Sequence, residues 1–554
     1  MKNSNKIILI SLLAVGLVSC ADSFLTRDPY GSTITQGQYE KMSDQLEGSM
    51  RGIYSMMYQY SDHDEFGERS IDMYTDLMSG DMALTNHIYG WFYTDELNQG
   101  VTNRSYYIWT YYYGLLRNIN SVIGTAQTIT VSGSTNVINR IATYGLPTTH
   151  KTSSSETTYY TIVAGDTLAT YTETDAVIAN CYAQALTMRG YVYSNLLMLF
   201  CNESSSISDF SSELCFPLYN ENNMNNAQPL AKMSEVYTQV ESDLTNAIDY
   251  FAAFSQEERS SKLFVDQSLA CGILAYSYLN KGNKNGISTG DKYKEAYGNA
   301  LKYAQQAIAT STCIILPQSQ LLTTGFNDVN NVSWMWGQDV TTETATGLAS
   351  FFGQVDIHSY SYAWAGDTKA IDENLYNEIP EYDGRSAWFN NGKANSTYKY
   401  CPDGKFYSAK SPNSTKSDDI DREWLSDNVF MRIESMYLIA AEASFRLNDD
   451  AGAISYLTQI TDQRIATGKE AEYGTWKSGL NHGNLLEAIE YNWRVEMWGE
   501  GYGLQTFRRL GTERRRGANH AGSPGAAITP GSEYTFQMPS SETSYNPSIK
   551  GTTL

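Results

Sequence analysis

Basic residues are scarce in this chain. Its 554 residues carry 39 Lys and Arg against 61 Asp and Glu, a formal net charge of −22, and charged residues of both signs make up only 18%. Nucleic acid and anionic membrane surfaces demand clustered Lys and Arg, so this deficit excludes them as the main partner. Only six histidines occur, at positions 63, 87, 150, 358, 482 and 520, and none stands at a metal-ligating spacing such as HxxxH. The seven cysteines form no CxxC or CxxH pair, which argues against a zinc site. No GxSxG, HExxH or Walker-type glycine–lysine loop is present. The Gly-rich run at 499–503 lacks the preceding strand and the lysine of a phosphate cradle. Asp372-Glu373 and Asp419-Asp421 read as solvated loop charges rather than a catalytic pair, so nothing here points to an enzyme or to a cofactor. What the chain does have is 42% hydrophobic residues, too many for a disordered polymer, with 42 Tyr and 10 Trp.

The N-terminus is a processing segment. Lys2 and Lys6 precede a largely apolar run, Ile7 to Val18, whose 12 residues are too few to span a bilayer. It ends in Leu17-Val18-Ser19-Cys20, which resembles a bacterial lipobox. The expectation is a signal peptide over 1–19 and acylation of Cys20, which anchors the protein to a membrane without spanning it. Of the remaining six cysteines, Cys181, Cys201 and Cys271 lie in helical patterns as small buried hydrophobes, and Cys201 with Cys215 can alternatively close a disulfide loop.

Several stretches repeat apolar residues at helical spacing. Val236, Val240, Leu244, Ile248 and Phe251 form one stripe, and Leu269, Ile273, Leu274 and Tyr278 another. Ala300, Leu301, Ala304 and Ile308 follow a turn at Lys281-Gly282-Asn283. Phe430, Ile433, Tyr437, Ala441 and Phe445 precede the turn Asn448-Asp449-Asp450 and then Ile454, Leu457 and Ile460. Tyr182 to Phe200 is helical in pattern as well. Small residues let the two helices of a pair approach closely and larger ones fill the groove to the next pair, the logic of tetratricopeptide pairs, here without a strict period. Two segments interrupt them. In the Thr-rich stretch 128–179, Thr158–Ala164 and Thr167–Tyr171 flank Gly165-Asp166 and predict a β-hairpin. The stretch 314–422 is rich in Trp, Tyr, Gly, Asn and Asp and shows no helical period, the mark of functional loops in a helical scaffold.

Against this background the residues resemble the SusD/RagB-like nutrient-binding outer-membrane lipoproteins of Bacteroidetes. The resemblance rests on Asp22 to Leu25 after Cys20, on Trp109 to Asn120, and on Ala185 to Phe200 with Arg189 and Tyr191. It continues through Phe216-Pro217-Leu218, Asp243-Leu244, Asp383-Gly384-Arg385, Ile439 to Leu457, and Arg494-Val495-Glu496 with Glu500-Gly501. Gly503, Gln505 and Thr506 depart from the family's usual C-terminal pattern, and the Thr-rich hairpin looks like an insertion. The resemblance implies a mainly α fold with tetratricopeptide-type pairs in a right-handed superhelical scaffold, a loop-rich part and small hairpins. Residues 20–554 then form a single domain whose ligand-binding insertions lie chiefly in 314–422. It also implies an acylated protein on the outside of the outer membrane that captures an oligosaccharide and delivers it to a SusC-like TonB-dependent β-barrel transporter. A peptide ligand, as in RagB-like relatives, or a transporter-assembly scaffold without its own ligand are the alternatives.

Sugar rings stack their C–H faces on aromatic rings and bond their hydroxyls to carboxylates and amides. Three loop clusters offer this combination: Asp81, Asn86, Trp91 and Tyr93; Trp334 and Trp336, on one side of an extended strand; and Tyr362 and Trp364, alternating with Tyr360. Trp388, beside Arg385, is expected to be structural, and Trp109, Tyr112, Trp493 and Trp498 to be core or to face the transporter. Arg494 and Glu496 are expected to form an ion pair. Arg508, Arg509, Arg514, Arg515 and Arg516 read as a solvated helix end, with contact to a partner or to lipid head groups as the alternative.

Overall fold

The computed structural model describes residues 36–93, 103–129, 135–153, 156–201, 213–254, 261–283, 290–393, 396–408, 425–531 and 534–549. Cys20 and the signal segment, Asp419 and Asp421 lie outside them. The described chain is mainly helical with a few small sheets, as the stripes and the resemblance predict. None of its helices is long and apolar enough to cross a membrane. Backbone contacts divide it into two compact units, one from residues 1–47 and 125–179, the other from 48–124 and 180–554.

The first unit holds helix α4 (Val137–Tyr144) and a three-stranded antiparallel sheet, β2 (Thr149–Ser153), β3 (Glu156–Val163) and β4 (Asp166–Tyr171). The predicted hairpin is present, but its turn falls at Ala164-Gly165, one residue earlier. Both residues have positive φ, 53° and 93°, as the right-handed strand twist demands of a two-residue turn. Strand β2 has no hydrophobic alternation and escaped detection. Arg140 fastens the sheet by pairing with Asp175 at 2.5 Å and lying over the Tyr171 ring.

In the second unit, α6 (Met233–Phe254), α7 (Gln267–Lys281), α8 (Gly290–Thr310), α11 (Ile433–Arg446), α12 (Asp450–Thr461), α14 (His482–Glu496) and α15 (Gly503–Leu510) pack in succession, and α15 lies on α2 (Glu68–Met78). Buried Ala296, Ala300, Ala304 and Ala307 give α8 a thin face. Gly272 of α7 lets Met436 come so close that an added Cβ would stand 2.8 Å from its sulfur. Phe430 differs from prediction: it belongs to strand β9 (Asn428–Arg432), which pairs with β7 (Trp334–Gln338) before the chain turns into α11. Arg189, on α5 (Glu173–Phe200), grips Asp243 of α6 through two bonds of 2.7 Å. Trp109, Tyr112, Trp388, Trp493 and Trp498 are all buried.

The segment 314–408 has little regular structure, so side chains hold much of it. At its base Glu496 is fully buried and takes three guanidiniums: Arg464 at 2.8 Å, Arg432 at 3.0 Å and Arg385 at 3.1 Å. Burial opposes its charge, but Arg464, Arg432 and Arg385 outweigh that and hold the carboxyl well below the usual carboxylate range. Around it, Arg385 pairs with Asp383, Arg464 with Glu434, and Arg432 and Lys405 with Glu500. Four cations thus meet four carboxylates, and the cluster is neutral. Lys405, which burial pushes down to about 8 against the pull of Glu500, also donates to the Glu496 and Trp498 carbonyls.

Several charge readings are therefore corrected. Arg494 does not pair with Glu496, because residues two apart on a helix point to different faces; it pairs instead with Asp81 at 2.9 Å. Of the arginine run only Arg515 is exposed. Arg508, Arg509, Arg514 and Arg516 are buried, with Arg509 on Glu442 and Arg508 donating to the Met198 and Cys201 carbonyls. Asp372 is also buried. It caps α10 (Glu373–Glu378) through the Leu375 N–H and accepts from Gly517 and His520. The run at 499–503 does cradle a carboxyl, but an internal one: the Gly501 and Gly503 N–H groups donate to Asp76, whose pKa burial raises to about 7.

Cys201 and Cys215 form a disulfide. Replacing both by Ser is expected to destabilise the protein by about 3 kcal/mol, the loop-entropy value for a ring of this size, as read by urea unfolding. Glu496→Gln strips the shared charge from three guanidiniums and is expected to cost roughly 3–5 kcal/mol. Removing the exposed Lys477–Asp462 pair is expected to cost under ~1 kcal/mol. Equal effects of the last two changes would refute the anchoring role of the cluster.

Candidate functional site

Strand β1 (Met82–Leu84) is only three residues long and pairs antiparallel with β8 (Lys369–Ile371), in the register Met82↔Ile371 and Leu84↔Lys369. In such a ribbon the chain leaving β1 emerges beside the chain entering β8. Loop 85–93 and loop 356–368 are therefore neighbours, and Thr85 N–H donates to the Thr368 carbonyl at 2.9 Å. Two of the three aromatic clusters predicted from sequence come together here, with a third loop, 60–65.

Trp91 is the centre. Tyr89 stacks on it at 5.0 Å and 22°, His63 lies 4.8 Å away, and Tyr362 meets it edge-on at 4.8 Å. Tyr362 and His63 share a 2.7 Å hydrogen bond between Oη and Nδ1. Tyr60 stands beside His63, and Tyr360 and Trp364 continue the aromatic surface, 5.7 Å apart. Tyr60, Tyr89, Tyr360 and Trp364 are 55%, 43%, 47% and 38% exposed, which is unlike core packing. Asn86 is exposed in the same loop, and Tyr93 is half-buried and stacked on His87 at 4.4 Å. Burial, with Tyr89 and Tyr60 nearby, pushes the Tyr362 hydroxyl up to about 12, so it remains neutral at physiological pH.

The surface is held from below. Phe92 turns inward with φ 59°, a left-handed conformation rare outside glycine, and is fully buried 4.9 Å from Tyr74. Arg104 donates to the Gly90 carbonyl and pairs with Asp64. Beneath all three loops lies the fully buried Lys369. Its ammonium donates to Asp367 Oδ2 at 2.7 Å and to Gln354 Oε1 at 2.6 Å. Asp367 accepts the Ile88 N–H through its other oxygen, and Gln354 donates to the His63 carbonyl at 2.8 Å. One ammonium thus ties loops 60–65, 85–93 and 356–368 together. Burial draws its pKa below the ordinary lysine value, against the pull of Asp367.

Three predicted site residues are placed elsewhere. Trp334 and Trp336 are 0% and 1% exposed, so contact with a ligand outside the fold is ruled out for both. The alternation of two indoles in an extended segment is present, but β7 pairs with β9 in an irregular register and is covered by helices: Trp336 packs on Tyr54, Tyr191 and Phe430. Asp81 is buried between Arg494 and Arg514, each within 2.9 Å, and its carbonyl accepts the Trp498 indole. Conversely, Tyr60, His63 and Tyr89 escaped sequence reading. Tyr89 stands beside Gly90-Trp91 and was accessible by the same argument. Tyr60 and His63 sit in a polar turn between helices with no local sign of the rings they meet. Among the described residues no group of three His, Cys, Asp or Glu side chains is placed to hold a metal ion.

The fold recurs in known structures. A SusD-like carbohydrate binding protein from Bacteroides vulgatus superposes with a TM-score of 0.63 at 19% identity, over 92% of this chain and 97% of that one. A SusD superfamily protein from Bacteroides thetaiotaomicron gives 0.65 at 18% identity, over 91% and 98%, and one from Bacteroides fragilis 0.62 at 16%, over 92% and 99%. No curated protein matches by sequence. The model of the SusD family matches residues 210–550, more than half of the sequence. By sequence and by fold, the chain belongs to the SusD family.

Proposed function

We propose that this protein is a surface lipoprotein that binds an oligosaccharide on the platform around Trp91, without modifying it, and hands it to a TonB-dependent outer-membrane transporter. The observation that carries the reading is the set of half-exposed rings gathered from three distant loops and locked by Lys369. Rings fixed before binding lose little entropy when a sugar face stacks on them. Exposed carboxamide and hydroxyl groups at the margin, Asn86 and the tyrosines, supply hydroxyl partners. A peptide added as a strand would need a free sheet edge; the nearest strands here, β1 and β8, are buried throughout. The shared fold of the SusD-like carbohydrate binding protein from Bacteroides vulgatus supports the ligand class. The lipobox-like stretch ending in Cys20 supports acylation and a place on the outer membrane. The family supports the transporter as partner.

The test is calorimetry with a series of neutral oligosaccharides. Trp91→Ala is expected to weaken the best ligand by about 2 kcal/mol or more, roughly 30-fold, while Trp336→Phe leaves affinity unchanged. Equal binding by wild type and Trp91→Ala would remove the platform as the site. Lys369→Met, which touches no ligand, is expected to lower affinity on the order of tenfold by unlocking the loops and to lower the melting temperature. A folded Lys369→Met protein with wild-type affinity would show that the ammonium does not preorganise the rings.

A further inference from the structure

A second concavity lies beyond the other end of strand β8. Asp372 leaves that end, and from there α10, Pro380-Glu381-Tyr382, α13 (Glu470–Ser478), α14 and the residues after α15 enclose an open cavity of about 960 Å³. This is at the upper end of the roughly 300–1,000 Å³ typical of small-molecule sites. None of the platform rings lines it.

Its walls carry three rings, Tyr382, Trp476 and Tyr491, none of them fully buried. Tyr382 and Trp476 lie 5.7 Å apart, tilted by 34°. Three carboxamides, Asn374, Asn377 and Asn484, add donors and acceptors. Five carboxylates and three guanidiniums complete the charge, a surplus of two negative charges at the wall. Two of the guanidiniums, Arg494 and Arg514, are already committed to Asp81 behind it and, at longer range, to Glu378 and Glu490 of the wall. An anionic ligand is therefore repelled, and charged and carboxamide groups spread around the wall suit a ligand that carries hydroxyls among its apolar faces. A neutral polyol fits best: the exposed Glu487 and Glu513 accept its hydroxyls, carboxamides take either role, and the rings cover its C–H faces.

We propose that this cavity is a second saccharide-binding site, separate from the Trp91 platform. Its ligand class rests on the glycan-binding reading of this protein, but its location does not. Two sites on one carrier would let a long glycan be held at two points, so that the weaker contact raises the overall avidity.

The test uses protein labelled with 5-fluorotryptophan, in which Trp91 and Trp476 report separately by fluorine resonance, assigned with Trp91→Ala and Trp476→Ala. The probes are short neutral oligosaccharides of the gluco, xylo, manno and galacto series. The expected result is a probe that shifts the Trp476 resonance in wild type and in Trp91→Ala alike. Asn377→Ala, an exposed position on α10, is expected to weaken that response several-fold and leave the Trp91 response within about twofold. A Trp476 response without a Trp91 response sinks the platform and keeps the cavity. A Trp476 resonance unmoved by every probe, or moved only when Trp91 is intact, overturns the proposal. So does a response confined to a lysine-rich peptide, the other occupant that a surplus of carboxylates would attract.

Discussion

A single buried carboxylate, Glu496, carries three guanidiniums, and the irregular half of this molecule depends on it. Helix pairs can be built from local repeats. The segment 314–408 has no such repeat, and few of its backbone groups enter a ladder. Arg385 and Lys405 come from that segment, Arg432 and Arg464 from beside and beyond α11. A desolvated ion cluster is a poor source of net stability, since the same volume filled with apolar side chains often does as well. Its geometry, however, is demanding. Only one arrangement of the loops satisfies every charge, so the cluster selects that arrangement from the many compact ones that an aromatic-rich loop could adopt.

From this anchor the order reaches the platform in two steps. The segment fixes β8, and β8 fixes β1 through three pairs of residues. Lys369 then converts strand pairing into loop placement, since its neighbours Asp367 and Gln354 each hold a different loop. Polar groups that look like candidates for ligand contact in the sequence are thus spent on support. Asp81 is the clearest case: it anchors two arginines and an indole and has nothing left over for a ligand.

What could be read in the sequence follows the range of the interactions. The helices of the second unit were legible because their apolar stripes and small residues are local in sequence, as the alanines of α8 and Gly272 of α7 show. Trp91, Tyr362 and Trp364 were legible as loop aromatics. Trp334 and Trp336 were misplaced for a physical reason: an alternating pair of indoles looks the same in a surface loop and in a strand roofed by helices, and only the roof distinguishes them. The arginine run misled similarly, because its partners, Glu442, Asp81 and two carbonyls of α5 and its end, are remote in sequence. Tyr60 and His63 carried no sign at all. What makes them part of a platform is Tyr362, 299 residues away from His63.

The three-residue ribbon of β1 and β8 has a kinetic meaning as well. Its flanking bonds join residues about 280 apart in the chain, and the Asp81–Arg494 pair joins residues 413 apart. Such contacts repay their loop-closure entropy only after nearly the whole polypeptide is present. A chain still incomplete, or cut short near its C-terminus, holds α6 to α8 whole but lacks the Arg494 and Arg514 partners that fix Asp81 beside β1. Completion of the platform in this fold is therefore a late event.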